Sequence, residues 1–392
     1  MRIGFFTDTY LPVVNGVVVS IETSRKALEA IGHQVFIYAP ESPGYKDKNP
    51  NVFRFKSIRV IKKPETHYAF NFLPVGRNFR EISHFKLDVV HAHTPFGLGL
   101  LAKYISERQL IPLIYTHHTH YPEYAKFYLK EEVLLPYLAK VYSTWFSSIS
   151  NAAIAPSLKI KKLLLSYGVK KKTTIYVLPT GIDLKIFKKS LENGRALRKK
   201  LKIPLKTEVL IFVGRIGKEK NLEFLIKGFA EVLKKRKDTL LLMVGDGPFL
   251  KKLKKIAQNL KIAQSIIFTG KVPRQKIPAF YQSADVFLFA SLTDTQGIVI
   301  LEALACGLPV IALKDDAFAN VIVNNKNGFL VKQHSPKLFA QKIITLLDDP
   351  SLYKKFSFRA VKTAQNFSEK NVAKKLIEIY KTQTEKRYQT KK

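Results

Sequence analysis

Apolar residues along this chain cluster into short unbroken runs instead of alternating with polar ones. RIGFF (2–6), HQVFIYAP (33–40), NVFRF (51–55), DVVHAH (88–93), PLIYTH (112–117), NAAIAP (151–156) and TTIYVLP (173–179) are such runs, most of them separated by stretches with helical spacing. Runs of this kind predict strands buried on both faces, as in parallel sheets covered by helices. The first helix is expected around 17–31, ending at Gly32. The pattern then restarts. EVLIFVGR (208–215), TLLLMVGDG (239–247), SIIFTG (265–270), ADVFLFA (284–290), LPVIAL (308–313) and NGFLV (327–331) predict a second set of strands. NLEFLIKGFAEVLKKR (221–236) and PFLKKLKKIAQNL (248–260) predict helices between them, the latter opened by Pro248 in its first turn.

The fold class expected is therefore α/β, with two parallel-sheet units in series. At 392 residues the chain exceeds one ordinary core. The units are expected over 1–180 and 181–365, joined near LPTGIDLKIFKKS (178–190), with a basic helix at about 366–392 packing back on the first. Ligands of open parallel sheets sit beyond the carboxyl ends of the strands, and two such sheets facing one another make a cleft there.

Composition narrows the class. With 46% hydrophobic and 11% aromatic residues the chain can fill packed cores, which excludes a disordered polymer. A single cysteine, Cys306 in the small apolar setting EALACGLPVIA, excludes an internal disulfide or a cysteine metal cluster and predicts a buried thiol. MRIGFFTDTYLP has no basic segment followed by an apolar run, and no stretch approaches the ~18–20 apolar residues of a membrane span. The expected location is the cytoplasm, free or on a membrane surface. The net charge of +36, from 66 Lys and Arg against 30 Asp and Glu, favours polyanionic partners: nucleic acid, anionic lipid or phosphorylated ligands. Lysine runs such as KKK (170–172) and KKLKK (251–255) read as solvated faces, so charge alone identifies no partner.

Four strand-end loops carry candidate chemistry. GRIGKEKN puts Arg215 and Lys220 after a strand, where a guanidinium fork and an ammonium can meet phosphate oxygens. TYLPVVNGVVVS puts Asn15 and Gly16 at a helix start, where backbone can approach an anion. YTHHTHYPEY clusters His117, His118 and His120; no other metal-ligand pattern accompanies them, so hydrogen bonding to a substrate hydroxyl or phosphate is expected in preference to zinc. His91 and His93 of HAHTPF are read as mainly structural. In SLTDTQGIVILEALACGLPVIA, Asp294 and Glu302 flank the helix start at Gly297. Eight residues at helical rise span about 12 Å. Two carboxylates accepting hydrogen bonds from diols, with a helix N-terminus between them, suit an elongated ligand carrying phosphates in its middle.

Taken together, the NG of the first loop, HTHYPEY, PTGID, GRIGKEKN, VGDGP and DTQGIVILEA resemble the family 4 retaining glycosyltransferases. The resemblance covers nearly the whole chain and implies the GT-B fold, two Rossmann-like domains facing a central cleft. DTQGIVILEA matches the family's E-x7-E motif with Asp294 in place of the first Glu, keeping the charge and shortening the reach. By position, the resemblance implies that Gly16 approaches the donor diphosphate and that His118 contacts the sugar. Arg215 and Lys220 would neutralise the departing nucleotide diphosphate, and Asp294 would hold the sugar hydroxyls. The Gln296 and Gly297 amides, with Ile298 beside them, would meet the phosphates. Glu302 would hold the ribose, and the backbone at Lys271 and Val272 the base. It also implies a nucleotide-sugar donor and no metal or other cofactor.

Among such enzymes the motifs are most similar to diacylglycerol glucosyltransferases and related lipid mannosyltransferases. The stretch 56–80 interleaves Arg59, Lys62, Lys63, Arg77 and Arg80 with Phe70, Phe72, Leu73 and Phe79, a composition suited to an anionic bilayer surface. Tyr121 and Tyr124 join these as candidate acceptor contacts. A second apolar stripe, Leu134, Leu138, Val141 and Trp145, is expected to pack into the core. The expected activity is transfer of glucose from UDP-glucose to a lipid such as 1,2-diacylglycerol at the inner face of the cell membrane. No nucleic-acid partner and no obligate protein partner are expected. A GDP-mannose-dependent mannosyltransferase acting on phosphatidylinositol or a saccharide is one alternative. A basic nucleic-acid-binding protein is the alternative from another class, and no recognised nucleic-acid motif supports it.

Overall fold

A computed structural model describes residues 1–60, 63–69, 85–129, 133–291, 293–332 and 334–389. The chain divides into two units, Met1–Gly181 with Glu369–Lys392, and Ile182–Ser368.

In the first unit the strands are β1 (Arg2–Phe6), β2 (Gln34–Pro40), β3 (Val52–Phe55), the antiparallel pair β4 (Ser57–Val60) and β5 (Lys63–Ala69), β6 (Val89–Ala92), β7 (Leu113–Thr116), β8 (Ala152–Ala155) and β9 (Thr174–Val177). Seven of them form a parallel sheet in the order β3-β2-β1-β6-β7-β8-β9. These are the seven apolar runs of the first half, and β6, β7 and β8 are buried at every position. Helices α1 (Gly16–Glu29), α2 (Gly97–Gln109), α3 (Tyr121–Leu129), α4 (Leu134–Ile149) and α5 (Leu158–Ser166) connect them. Asn15 caps α1 by accepting the Val18 N–H at 3.0 Å.

Asp8, buried after β1, does the same for α2: its Oδ1 accepts the Leu98 N–H at 3.0 Å and its Oδ2 the Thr94 hydroxyl at 2.5 Å. Burial pushes the Asp8 carboxyl up to about 6 despite these bonds.

The last helix, Glu369–Gln389, belongs to this unit and packs on α1. Val372, Leu376 and Tyr380 recur at helical spacing and enter a core with Ile3, Phe5, Val35 and Ile37. At its centre the Tyr380 hydroxyl and the His91 Nδ1 lie 2.6 Å apart, and His91 Nε2 lies 2.6 Å from the Thr116 hydroxyl. His91 thus ties two strands to a helix 289 residues later.

One expectation is overturned. Leu134, Leu138, Val141 and Trp145 are 60%, 48%, 47% and 45% exposed, not in the core. Helix α4 instead buries Pro136, Ser143, Ser147 and Phe146. Helical spacing places residues on one face but does not say which face meets protein; here small residues let the helix approach closely and leave the apolar stripe outside.

In the second unit, strands β10 (Glu208–Val213), β11 (Thr239–Val244), β12 (Ile266–Phe268), β13 (Val286–Phe289), β14 (Val310–Leu313) and β15 (Gly328–Val331) form a parallel sheet in the order β12-β11-β10-β13-β14-β15. Its helices are α6 (Leu191–Lys200), α7 (Leu222–Leu233), α8 (Leu250–Asn259), α9 (Ile277–Gln282), α10 (Ile298–Ala305), α11 (Pro336–Asp348) and α12 (Pro350–Asn366). Helix α8 begins two residues after Pro248, because Phe249 N–H donates to the Ile216 carbonyl at 3.1 Å and holds Pro248 in the preceding turn. Cys306 is buried, as its apolar setting predicts, and burial raises its thiol.

Two outcomes follow for the first unit. Tyr380→Phe leaves His91 Nδ1 buried without its partner and is expected to cost ~1–2 kcal/mol in urea unfolding. Tyr380→Ala is expected to cost ~3–5 kcal/mol by opening a cavity; variants as stable as the parent would contradict the packing. Burial lowers His91 and His117 from 6.5 to about 3, so both favour folding above pH 6.5 and lose that contribution as pH falls toward 3. Asp8 opposes them, since its folded-state value is raised: its contribution is present below 3.8 and lost as pH rises through about 6. Burial lowers His93 and His118 as well, so the imidazoles outweigh Asp8 and the net expectation is a loss of stability as pH falls from 7.5 to 5.5. A stability that is flat or rising over that range would contradict it.

Candidate functional site

In the second sheet the strand order reverses between β10 and β13, and connections leaving this pair in opposite directions open a crevice at their carboxyl ends. The loops that follow these two strands carry Arg215 and Lys220 on one side and Asp294 on the other. They are joined by hydrogen bonds from side chains to backbone: the Glu219 carbonyl accepts from Ser291 Oγ at 3.2 Å and Thr293 Oγ1 at 3.3 Å, and Asn221 Nδ2 donates to the Ala290 carbonyl at 3.3 Å. The third loop is pressed equally close. A Cβ at Gly245, which has φ +134°, would stand 1.9 Å from the Gly214 carbonyl oxygen.

Within this frame Lys220 Nζ donates to Asp294 Oδ1 at 2.5 Å, both side chains being largely buried. Arg215 Nε lies 3.4 Å from Glu219 Oε1 and its guanidinium is half-exposed. Gln296 is buried, and Gly297 caps α10 in the left-handed region (φ +69°), directing the first turn of the helix. Glu302, on α10, has no exposed surface. Its carboxylate accepts the Tyr281 hydroxyl at 2.8 Å and pairs with the Arg274 guanidinium. A carboxylate without water requires such partners. Arg274 follows the loop of Lys271 and Val272 after β12, and its guanidinium lies 4.9 Å from the centre of the Phe187 ring. Lys271 is exposed and Val272 half-buried.

The structure thus brings Arg215, Lys220, Asp294, Gln296, Gly297 and Ile298 to one strand-end crevice, and links the Lys271–Val272 loop to Glu302 through Arg274. Each acid of the pair has a protein cation: Lys220 for Asp294, Arg274 for Glu302. Sequence reasoning missed Arg274 and Tyr281. The signal for Arg274 was its place two residues beyond Val272.

In the first unit the sheet order also reverses, between β1 and β6. Gly16 opens α1 on this rim, and a Cβ there would meet nothing within 4 Å. His118, following β7, is half-buried, and desolvation lowers it to about 3. Its Nε2 lies 2.9 Å from Nδ1 of His93, the rings stacked at 5.2 Å. His93, read from sequence as mainly structural, therefore also holds His118 in place, while stacking on His91 at 4.2 Å. His120 accepts the Glu123 N–H at 3.1 Å at the start of α3. Tyr121 packs edge-on against Phe96 and His117, each at 5.4 Å, whereas Tyr124 is exposed. Of the residues proposed to face a membrane, Lys62, Phe70, Phe72, Leu73, Arg77, Phe79 and Arg80 lie outside the described residues. Arg59 and Lys63 are described only by their place in the β4–β5 pair.

A crevice of two cations, a carboxylate and a helix N-terminus is chemically suited to a phosphate ester that also carries hydroxyls. Comparison with known proteins gives the family. The family model "Glycosyl transferases group 1" matches residues 194–363, and "Glycosyltransferase Family 4" matches 14–186. The chain is 37% identical to the alpha-monoglucosyldiacylglycerol synthase of Streptococcus pneumoniae, over 84% of this chain and 75% of that protein. It is 32% identical to the alpha-monoglucosyldiacylglycerol synthase of Acholeplasma laidlawii, over 97% and 96%. The Anabaena protein HepE, crystallised with UDP and glucose, superposes with a TM-score of 0.78 at 20% identity, covering 97% of this chain and all of that one. Two halves that each match a glycosyltransferase family, two relatives above 30% identity and the shared architecture make this chain a family 4 glycosyltransferase of the GT-B fold.

Proposed function

We propose that the protein transfers a hexose, glucose from UDP-glucose, to a membrane lipid acceptor such as 1,2-diacylglycerol, with retention at the anomeric carbon. The observation that carries the donor half is the Lys220–Asp294 pair beside Arg215 at the reversal point of the second sheet. The acceptor half is supported by the two relatives named as alpha-monoglucosyldiacylglycerol synthases.

In this reading Lys220 and Arg215 face the donor diphosphate while Asp294 accepts hydrogen bonds from the sugar. Lys220, already held by Asp294, is oriented before the donor arrives, so little reorganisation accompanies charge development. The bond between C1 and the diphosphate oxygen breaks, and its electron pair stays on the nucleotide diphosphate. The acceptor oxygen then bonds to C1 from the same face, its proton passing to the departing phosphate. Side-chain cations carry the neutralisation that a metal ion performs in other enzymes. Glu302 receives the ribose by exchanging one of its present partners. Assignment of His118 to the transferred sugar rests on the family resemblance. The GDP-mannose alternative shares all these groups and differs only in base and sugar recognition.

The test is transfer of labelled glucose from UDP-glucose by the full chain, in EDTA, with diacylglycerol dispersed in detergent micelles. Labelled glucolipid is expected, and Lys220→Ala and Asp294→Asn are each expected to lower kcat by ~10²–10³-fold. Transfer from GDP-mannose instead would overturn the donor assignment, and transfer only to a soluble saccharide the lipid assignment. Salt-dependent retention on DNA without turnover of any nucleotide sugar would favour nucleic-acid binding.

A further inference from the structure

Glu302 is closed to any ligand. Its side chain is 1% exposed, whereas Asp294 keeps 18% and Lys220 20%. A carboxylate with no surface cannot accept a hydroxyl until a group covering it moves. It is held by the Tyr281 hydroxyl on Oε2 at 2.8 Å and by the Arg274 guanidinium on Oε1.

These partners differ in their freedom to leave. Tyr281 has no exposed surface and lies among the rings of Phe187 and Phe287, at 6.1 and 5.9 Å. Moving it would disturb a packed core. Arg274 stands at the rim, its side chain 39% exposed and its guanidinium over the Phe187 ring. Its backbone is pinned, since Pro273 precedes it and its carbonyl accepts the Ile277 N–H. The side chain alone can swing, and water and the Phe187 face receive the guanidinium when it does.

The exchange keeps Glu302 satisfied for one class of ligand. Oε1 gives up an N–H donor, a vicinal diol brings two O–H donors, and Tyr281 stays on Oε2. A ligand without the diol has nothing to put in the place of the guanidinium, and would leave a dry carboxylate short of donors.

We infer that Arg274 is a specificity-determining residue, which closes Glu302 in the free protein and yields to a nucleotide with an intact ribose 2′,3′-diol. Arg274, not Tyr281, is then the partner that Glu302 exchanges. The inference rests on the donor reading of the preceding subsection, in which Glu302 meets the ribose, and adds the residue that selects for it.

The full chain is titrated calorimetrically in EDTA with UDP or GDP, whichever it binds, with the 2′,3′-dideoxy form of that nucleotide, and with inorganic pyrophosphate. Arg274→Met and Arg274→Lys are titrated alongside. Methionine is flexible and apolar. It keeps the site dry and removes the cation from the free protein, while the bound state, which Arg274 has already left, is unaltered. Nucleotide affinity is therefore expected to rise at least tenfold in Arg274→Met, with little change for the dideoxy form or pyrophosphate. Arg274→Lys, which keeps a cation, should stay near the parent.

Weaker nucleotide binding by Arg274→Met would overturn the inference, because Glu302 would then keep Arg274 while it holds the ribose. Equal changes for all three ligands would also overturn it, leaving Arg274 a support of the loop alone. If Arg274→Met fails to fold by far-UV circular dichroism, a crystal structure of the parent with the nucleotide decides. Glu302 on the ribose with Arg274 turned away is the expected result, and an intact pair beside the ribose the contrary one. A parent that binds pyrophosphate but neither nucleotide would overturn the donor reading and this inference with it, whereas the other failures leave nucleotide binding by the parent intact.

Discussion

The ion pair between Lys220 and Asp294 is the interaction on which the donor-binding account depends. It joins side chains 74 residues apart, from loops that follow the first and fourth strands of the second sheet. A parallel sheet in this order places those two strands side by side, so the loops leaving them meet at their carboxyl ends. The backbone of Glu219, anchored by Ser291 and Thr293, fixes the distance. The pair is therefore a product of topology before it is one of sequence.

The same logic explains two acids around an apolar helix start in a protein of charge +36. Neither carboxylate stands alone. Asp294 is held by Lys220, and Glu302, without solvent contact, by Arg274 and Tyr281. The site is an alternating set of charges that an incoming phosphate and its hydroxyls can rearrange without creating a buried uncompensated ion. Arg215, half-exposed beside Glu219, adds a second cation to this set.

The strands were legible in the sequence because residues covered on both faces leave an unbroken apolar run, as in VVHA and LIYT. The loop residues Arg215, Lys220 and Asp294 were legible because they directly follow such runs. Arg274 was not, because its partner Glu302 lies 28 residues away and no local spacing connects them. His93 was read by its strand, whereas its bond to His118 is made across the rim of the sheet. The orientation of α4 was misread for a plainer reason: Leu134, Leu138, Val141 and Trp145 define a face, but only the small residues opposite them show which side the protein takes.

Calorimetric titration of UDP into the full chain, in EDTA, tests the central claim most directly. UDP lacks the sugar, so it should need Lys220 and not Asp294. The account predicts one site whose affinity falls at least tenfold in Lys220→Met, and is little changed in Asp294→Asn, whose amide oxygen still accepts the lysine's hydrogen bond. Equal affinities in all three proteins, or equal losses in both variants, would mean that the pair serves only to hold the two loops together.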